Sequence, residues 1–119
     1  MKRTTGSNLI TNIPTVKICG VYSLTDGDGG MYIGSSKDIQ KRCRKHLTNI
    51  NSYLREGING FLNPKMKDAV LRGASFRCDV LAQFNCAMSP VELREVERLF
   101  IQKYKDRVCY NCMNIIHKV

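Results

Sequence analysis

Five side chains of this sequence carry functional groups at spacings that allow them to meet: the phenols of Tyr22 and Tyr32, the guanidinium of Arg42, the imidazole of His46 and the carboxylate of Glu97. The tyrosines lie in two short apolar segments, Gly20-Val21-Tyr22-Ser23-Leu24 and Met31-Tyr32-Ile33-Gly34. Between them runs Thr25-Asp26-Gly27-Asp28-Gly29-Gly30, whose Asp and Gly residues supply the positive φ angles of a hairpin turn. The pattern therefore predicts two antiparallel strands. A basic stretch from Ser35 to Leu47 follows and predicts a helix capped by Ser35 or Ser36, with Asp38 in its first turn, where the helix dipole favours a carboxylate. At about 100° per residue, this helix places Ile39, Cys43 and His46 on one face with Leu47 beside them. Arg42 flanks that face, one turn before His46. Lys41, Arg44 and Lys45 fall elsewhere on the circle, toward solvent. Taken singly, each residue has an ordinary explanation, since a strand tyrosine packs and a helix arginine is solvated. Their joint spacing aims two phenols, a guanidinium and an imidazole at one region.

The carboxylate comes from a second helix. Ser89-Pro90-Val91-Glu92 is the clearest helix start in the chain, with Ser89 and Glu92 forming a capping box and Pro90 at the first helical position. The helix extends to about residue 104, with Leu93, Val96, Phe100 and Tyr104 as its apolar face and Ile101 at the edge. Glu97 falls inside that face, whereas Glu92 and Glu95 fall outside it. A carboxylate there is costly unless it is paired or binds a metal. Glu97 is thus a metal-binding or catalytic candidate, the alternatives being a margin position that reaches solvent or a buried pair with Arg42.

The remaining segments supply the frame. Residues 1–16 are polar, contain Pro14 and read as a flexible arm, so the domain proper is 17–119. The first helix continues toward Leu54. Gly57 and Gly60 mark a loop, and Asn63-Pro64 starts a short helix over 65–72 that Gly73 ends. Residues 75–84 alternate, with Phe76, Cys78, Val80 and Ala82 on one side and Arg77, Asp79 and Leu81 on the other, which predicts a third strand.

A chain of 119 residues with 43% hydrophobic content is one domain with room for a single core. No apolar run approaches the ~18 residues of a membrane span, and the polar stretch after Met1-Lys2-Arg3 is no secretory signal. The formal charge of +9 points to a polyanionic partner, of which nucleic acid is the commonest. Six cysteines without a signal segment indicate thiols in a reducing, cytoplasmic compartment. Cys109 and Cys112 have metal-knuckle spacing, and Cys78, Cys86 or His117 could complete a zinc site. Cys19, Cys43 and Cys78 sit at core-like positions and no second tight pair exists, so no structural zinc is expected.

Taken together, Gly20-Val21-Tyr22, Tyr32-Ile33-Gly34 one hairpin later, and the following helix with Arg42 and His46 resemble the GIY-YIG nuclease family, with Val21 in place of the family's Ile. Glu97-Arg98-Leu99-Phe100-Ile101 looks like the family's metal-binding glutamate helix, and Tyr110-Asn111 resembles its closing Tyr-Asn element, Asn114 being the other candidate. The resemblance covers about residues 17–116. The 60–63 connection, where family members often carry a second His, has none here.

The resemblance implies a small α/β (α+β) domain with a three-stranded antiparallel sheet flanked by helices. It implies a stand-alone DNA endonuclease, similar to phage or homing-type enzymes, that hydrolyses phosphodiester bonds. Tyr22 would be the general base, Tyr32 would orient water or phosphate, Arg42 would neutralise the scissile phosphate and His46 would assist proton transfer. Glu97 would hold one divalent cation, Mg²⁺ or Mn²⁺, and Asn111 would support the site. Lys37, Lys41, Arg44 and Lys45, the loop 57–63 and the N-terminal arm are candidate contacts to DNA, expected to be double-stranded. With no appended recognition module, specificity would come from the domain's own loops, from a homodimer or from another partner. The reading from another class is a catalytically idle nucleic-acid-binding module, which Mg²⁺-dependent nicking of a plasmid separates from an enzyme.

Overall fold

The computed structural model describes residues 9–57, 64–85, 87–108 and 110. Its elements follow the order expected from the sequence, preceded by one more strand: β1 (Ile10–Thr11), β2 (Gly20–Thr25), β3 (Met31–Ser36), α1 (Ile39–Glu56), α2 (Pro64–Leu71), β4 (Phe76–Gln83) and α3 (Pro90–Lys103). The sheet has four strands in the order β1-β4-β2-β3, one more than the three expected. The extra strand comes from the stretch assigned to the arm. Ile10 and Thr11 pair in parallel with Phe76 and Arg77, and Ile10 is buried. Leu9 and Ile10 are adjacent, Ile13 follows three residues later and Pro14 comes next, a spacing without the alternation that announces a strand.

The β2–β3 hairpin closes through Asp26. Its carboxylate oxygen Oδ1 accepts from the backbone N–H of Asp28 at 2.8 Å and of Gly30 at 2.9 Å, and Gly29 adopts a φ of 92°. The opposite carboxylate oxygen accepts from the Tyr110 hydroxyl, which ties the far end of the described chain to this turn. Burial works to raise the Asp26 pKa, but the Tyr110 hydroxyl and the turn N–H groups favour the charged form and bring it below its ordinary value.

Both motif glycines are fixed by close approach. β2 runs antiparallel to both neighbours, and a Cβ on Gly20 would sit 1.9 Å from the Ala82 carbonyl oxygen of β4. Tyr22 lies opposite Gly34 on β3, and a Cβ on Gly34 would sit 2.7 Å from the Tyr22 hydroxyl and 2.8 Å from Cζ. The phenol ring therefore lies across the glycine, in space that any other residue would fill.

The sheet separates two apolar layers, where the sequence suggested a single core. On one face α1 and α2 bury Ile39, Cys43, Ile50, Met66, Ala69 and Val70 against Ile10, Tyr22, Leu24, Phe76 and Cys78. On the other, α3 brings Val96, Phe100 and Ile101 against Val21, Met31 and Ile33. The expected alternation of β4 holds for Phe76 and Cys78 and then breaks. Val21 pairs with Ala82 and Tyr22 with Val80, so Leu81 is an extra residue in a bulge. Beyond it Leu81 and Ala82 both pack in the α3 layer, and Val80 is 38% exposed.

Helix α1 starts later than expected. β3 runs through Ser36, and Asp38 is itself the cap, accepting from the Lys41 N–H at 3.0 Å, while the Ser36 hydroxyl accepts from the Asp38 N–H. A carboxylate one residue before the helix satisfies an orphan N–H and faces the positive dipole end at once, so Asp38 takes the place expected of Ser35 or Ser36. Gly57, at φ 73°, ends α1. α2 starts at Pro64 as expected, and its proposed cap Asn63 lies outside the described residues. α3 carries the full Ser89–Glu92 capping box.

Gly34→Ala tests the ring contact. Its Cβ must displace a fully buried tyrosine, and overpacking of this kind costs about 1–3 kcal/mol. Thermal unfolding should therefore drop by at least ~5 °C. Gly27→Ala, where a Cβ meets nothing within 4 Å, should leave the midpoint unchanged. Equal midpoints for the two variants would refute the contact.

Candidate active site

The edge strand β3 carries the site around its C-terminal end. Helix α1 lies on one face of the sheet and α3 on the other, and residues from the N-terminal half of each line the site. Between them is a cleft of about 370 Å³, lined by Tyr32, Gly34, Ser35, Ser36, Lys37 and Arg42 on one side and by Pro90, Leu93, Arg94 and Glu97 on the other.

On the α1 face the strand register sets the aromatic groups. Tyr22 and Tyr32 lie diagonally across the hairpin with ring centroids 6.3 Å apart. His46 stands edge-on to Tyr32 at 5.4 Å, and its Nε2 lies 2.9 Å from the Tyr22 hydroxyl. Burial first, and then the charge of Arg42, holds the His46 pKa at about 4, so the ring is neutral near pH 7. Nε2 and the Tyr22 hydroxyl share this hydrogen bond, whose direction follows the imidazole tautomer.

The Arg42 guanidinium is within hydrogen-bonding reach of both phenol oxygens. Burial opposes its charge, but the two phenols more than offset this and raise its pKa above the ordinary value. Tyr22 is pushed in the opposite chemical sense: desolvation, followed by the neighbouring Tyr32, raises its pKa well above 10 despite Arg42. Tyr32 is raised too, by burial and then by the nearby Glu97 charge. Tyr22 is fully buried, whereas Tyr32 lines the cleft.

Glu97 reaches the cleft from α3, half-buried between Leu93 and Ile101, as its place on the apolar face required. Burial raises its pKa, and Ser35, Arg94 and Arg42 work against the rise. The Ser35 hydroxyl donates to Glu97 Oε1 at 2.6 Å, and the Ser35 backbone N–H also bonds the carboxylate. Glu97 is therefore neither a solvent-seeking margin residue nor closed off in an ion pair with Arg42. Among the described residues no group of three or more His, Cys, Asp or Glu side chains is gathered for a metal. A single half-buried carboxylate on a cleft wall fits a hard divalent ion that completes its shell with water and substrate oxygens.

Tyr22, Tyr32, Arg42 and His46 are thus brought together, with Glu97 facing them across the edge strand. Of the basic candidates, Lys37 lines the cleft, whereas Lys41, Arg44 and Lys45 are exposed along α1, and Arg44 borders a separate groove beside residues 10–15. Asn111 and Asn114 lie outside the described residues, as do Cys86, Cys109, Cys112 and His117 of the zinc question and most of the loop 57–63. Cys19, Cys43 and Cys78 are buried, and the sulfurs of Cys43 and Cys78 are 3.6 Å apart.

Two cleft residues escaped the sequence reading. Ser35 reads as a possible helix cap in the sequence, and its position after Gly34 on a continuing strand puts it on the α3 side instead. Arg94 precedes Glu97 by three residues, a spacing that places it one helical turn away on the same side.

No curated protein and no solved structure matches the chain. The family model described as the GIY-YIG catalytic domain matches residues 18–111, from just before β2 to just past Tyr110. That match spans most of the 119 residues and contains every group of the cleft, and the chain belongs to the GIY-YIG family of nucleases.

Proposed function

We propose that the chain is a metal-dependent DNA endonuclease whose active site is the cleft at the end of β3. The observation that carries this reading is the placement of Glu97 and Arg42 on opposite walls of that cleft, with Tyr32 between them. Phosphodiester hydrolysis needs an activated water and neutralised phosphate charge in a site that excludes bulk solvent. Glu97 would hold one Mg²⁺ or Mn²⁺, which when bound supplies charge neutralisation and Lewis acidity at the phosphate oxygens. Arg42 presents a fork suited to two phosphate oxygens and is charged at any working pH.

The tyrosines divide the remaining work. Tyr32, on the cleft wall, orients the water or the phosphate. Tyr22, deprotonated with difficulty in its buried position, serves as a base only if its own proton has somewhere to go. Neutral His46, 2.9 Å away, shares a hydrogen bond with the Tyr22 hydroxyl and would assist that transfer, and the charge of Arg42 favours a phenolate beside it. The substrate side is cationic: Arg42, Arg94 and Lys37 border the cleft, and Lys41, Arg44 and Lys45 extend the charge along α1. This favours double-stranded DNA held largely through its phosphates, the sequence-independent source of affinity.

The direct test is plasmid cleavage with Mg²⁺ and with EDTA. Glu97→Gln should abolish cleavage while leaving folding and most of the DNA affinity intact. A variant that cuts at the wild-type rate would remove Glu97 from the reaction, and wild-type protein that binds DNA without nicking it would favour a binding module.

Arg42 and Arg44 should separate cleanly under single-turnover conditions at saturating DNA in matched salt. Arg42→Ala should lower the rate by about 10²-fold or more, as expected for a group stabilising transition-state charge. Arg44→Ala, on the exposed side of α1, should weaken binding and leave the rate nearly unchanged. Equal rate losses would refute the division.

A further inference from the structure

The carboxylate of Glu97 is held from the sheet. Ser35 lies in β3 opposite Val21, one residue beyond the glycine that accommodates the Tyr22 ring. Strand alternation turns its side chain to the α3 face, away from the tyrosines and toward the helix that carries Glu97. There its hydroxyl donates to Glu97 Oε1 at 2.6 Å, and its backbone N–H bonds the same carboxylate. The 2.6 Å separation is that of an O–H···O⁻ bond, the short and strong kind. Both donors come from one residue, and they restrain a carboxylate that otherwise has three rotatable bonds.

We infer that Ser35 is the positioning residue for Glu97, orienting its carboxylate toward a divalent cation in the cleft. The inference rests on the metal-dependent reading given above. Outer partners of this kind typically change metal affinity or activity by about 10–100-fold. Ser35 also links the two walls of the site. It follows Gly34 directly on the strand that sets Tyr22, so the position of Glu97 is referred to the same backbone that positions the aromatic groups. The backbone N–H bond survives any substitution at residue 35 other than Pro, so loss of the hydroxyl should loosen the carboxylate without freeing it.

The test uses the full chain and two readouts. The first is the gain in affinity for a short DNA duplex on adding Ca²⁺, read by fluorescence anisotropy, which needs no turnover. The second is the Mg²⁺ concentration giving half-maximal cleavage. Ser35→Ala should need about 10-fold more of either ion and should recover most of its cleavage rate at saturating Mg²⁺. Ser35→Thr, which keeps the hydroxyl on a strand position where β-branching is tolerated, should titrate like wild type. Glu97→Gln should show no Ca²⁺-dependent gain. A wild type that responds to both ions while Ser35→Ala titrates identically overturns the role of Ser35 alone. A Ser35→Thr variant as impaired as Ser35→Ala overturns it as well, because the hydroxyl is then not what matters. If the wild type gains nothing from Ca²⁺ and cleaves equally in EDTA, the metal reading of Glu97 falls, and the positioning role falls with it.

Discussion

The contact on which this site depends is between a ring and a missing side chain. Tyr22 lies across Gly34, close enough that a single added carbon would overlap the phenol. Hairpin register puts the two residues opposite each other, and the glycine lets the ring lie flat toward α1 rather than stand off the strand. From that position the hydroxyl reaches His46 and Arg42, and the next turn of the strand brings Tyr32 against the same pair. The other motif glycine acts on the other neighbour of β2. Gly20 lets β4 come close at Ala82, beside the bulge at Leu81 that passes the end of that strand to the α3 layer. The two glycines are spatial requirements on the two sides of one strand.

The electrostatics follow from this packing. The guanidinium beside the phenols is charged, and burial first, then that charge, keeps the neighbouring imidazole neutral. The result is a fixed cation next to a neutral base, with the one cleft carboxylate drawn from the opposite side of the sheet. Cations outnumber that carboxylate around the cleft, as a polyanionic substrate requires.

Much of this was legible in the residues. Strong local signals declare themselves: the Asp/Gly turn, the Ser89–Glu92 box with Pro90, and the helical spacing that sets Arg42 beside His46. Glu97 stood out because a carboxylate on an apolar face demands a partner. What stayed hidden depended on tertiary context. Ile10–Thr11 is a strand only because β4 offers it an edge. The bulge at Leu81 shifts a pattern that looks regular until β2 fixes the register. Ser35 resembled a helix cap because nothing local shows that β3 continues through it. The cap went to Asp38, and the serine was left free to serve α3. The burial of Tyr22 behind Tyr32 was equally invisible, since both read alike as strand tyrosines.

The sheet that organises the fold also divides the site. Arg42, His46 and the tyrosines ride on one layer and Glu97 on the other, and they meet around the C-terminal end of β3. The distance across the cleft is therefore set by the thickness of a three-layer sandwich. Repacking Val96, Phe100 or Ile101 would tilt α3 and carry Glu97 with it, leaving every group of the opposite layer in place. In such a molecule the apolar core acts as a spacer gauge, and changes remote from the cleft would register as a misfit between two halves that are each intact.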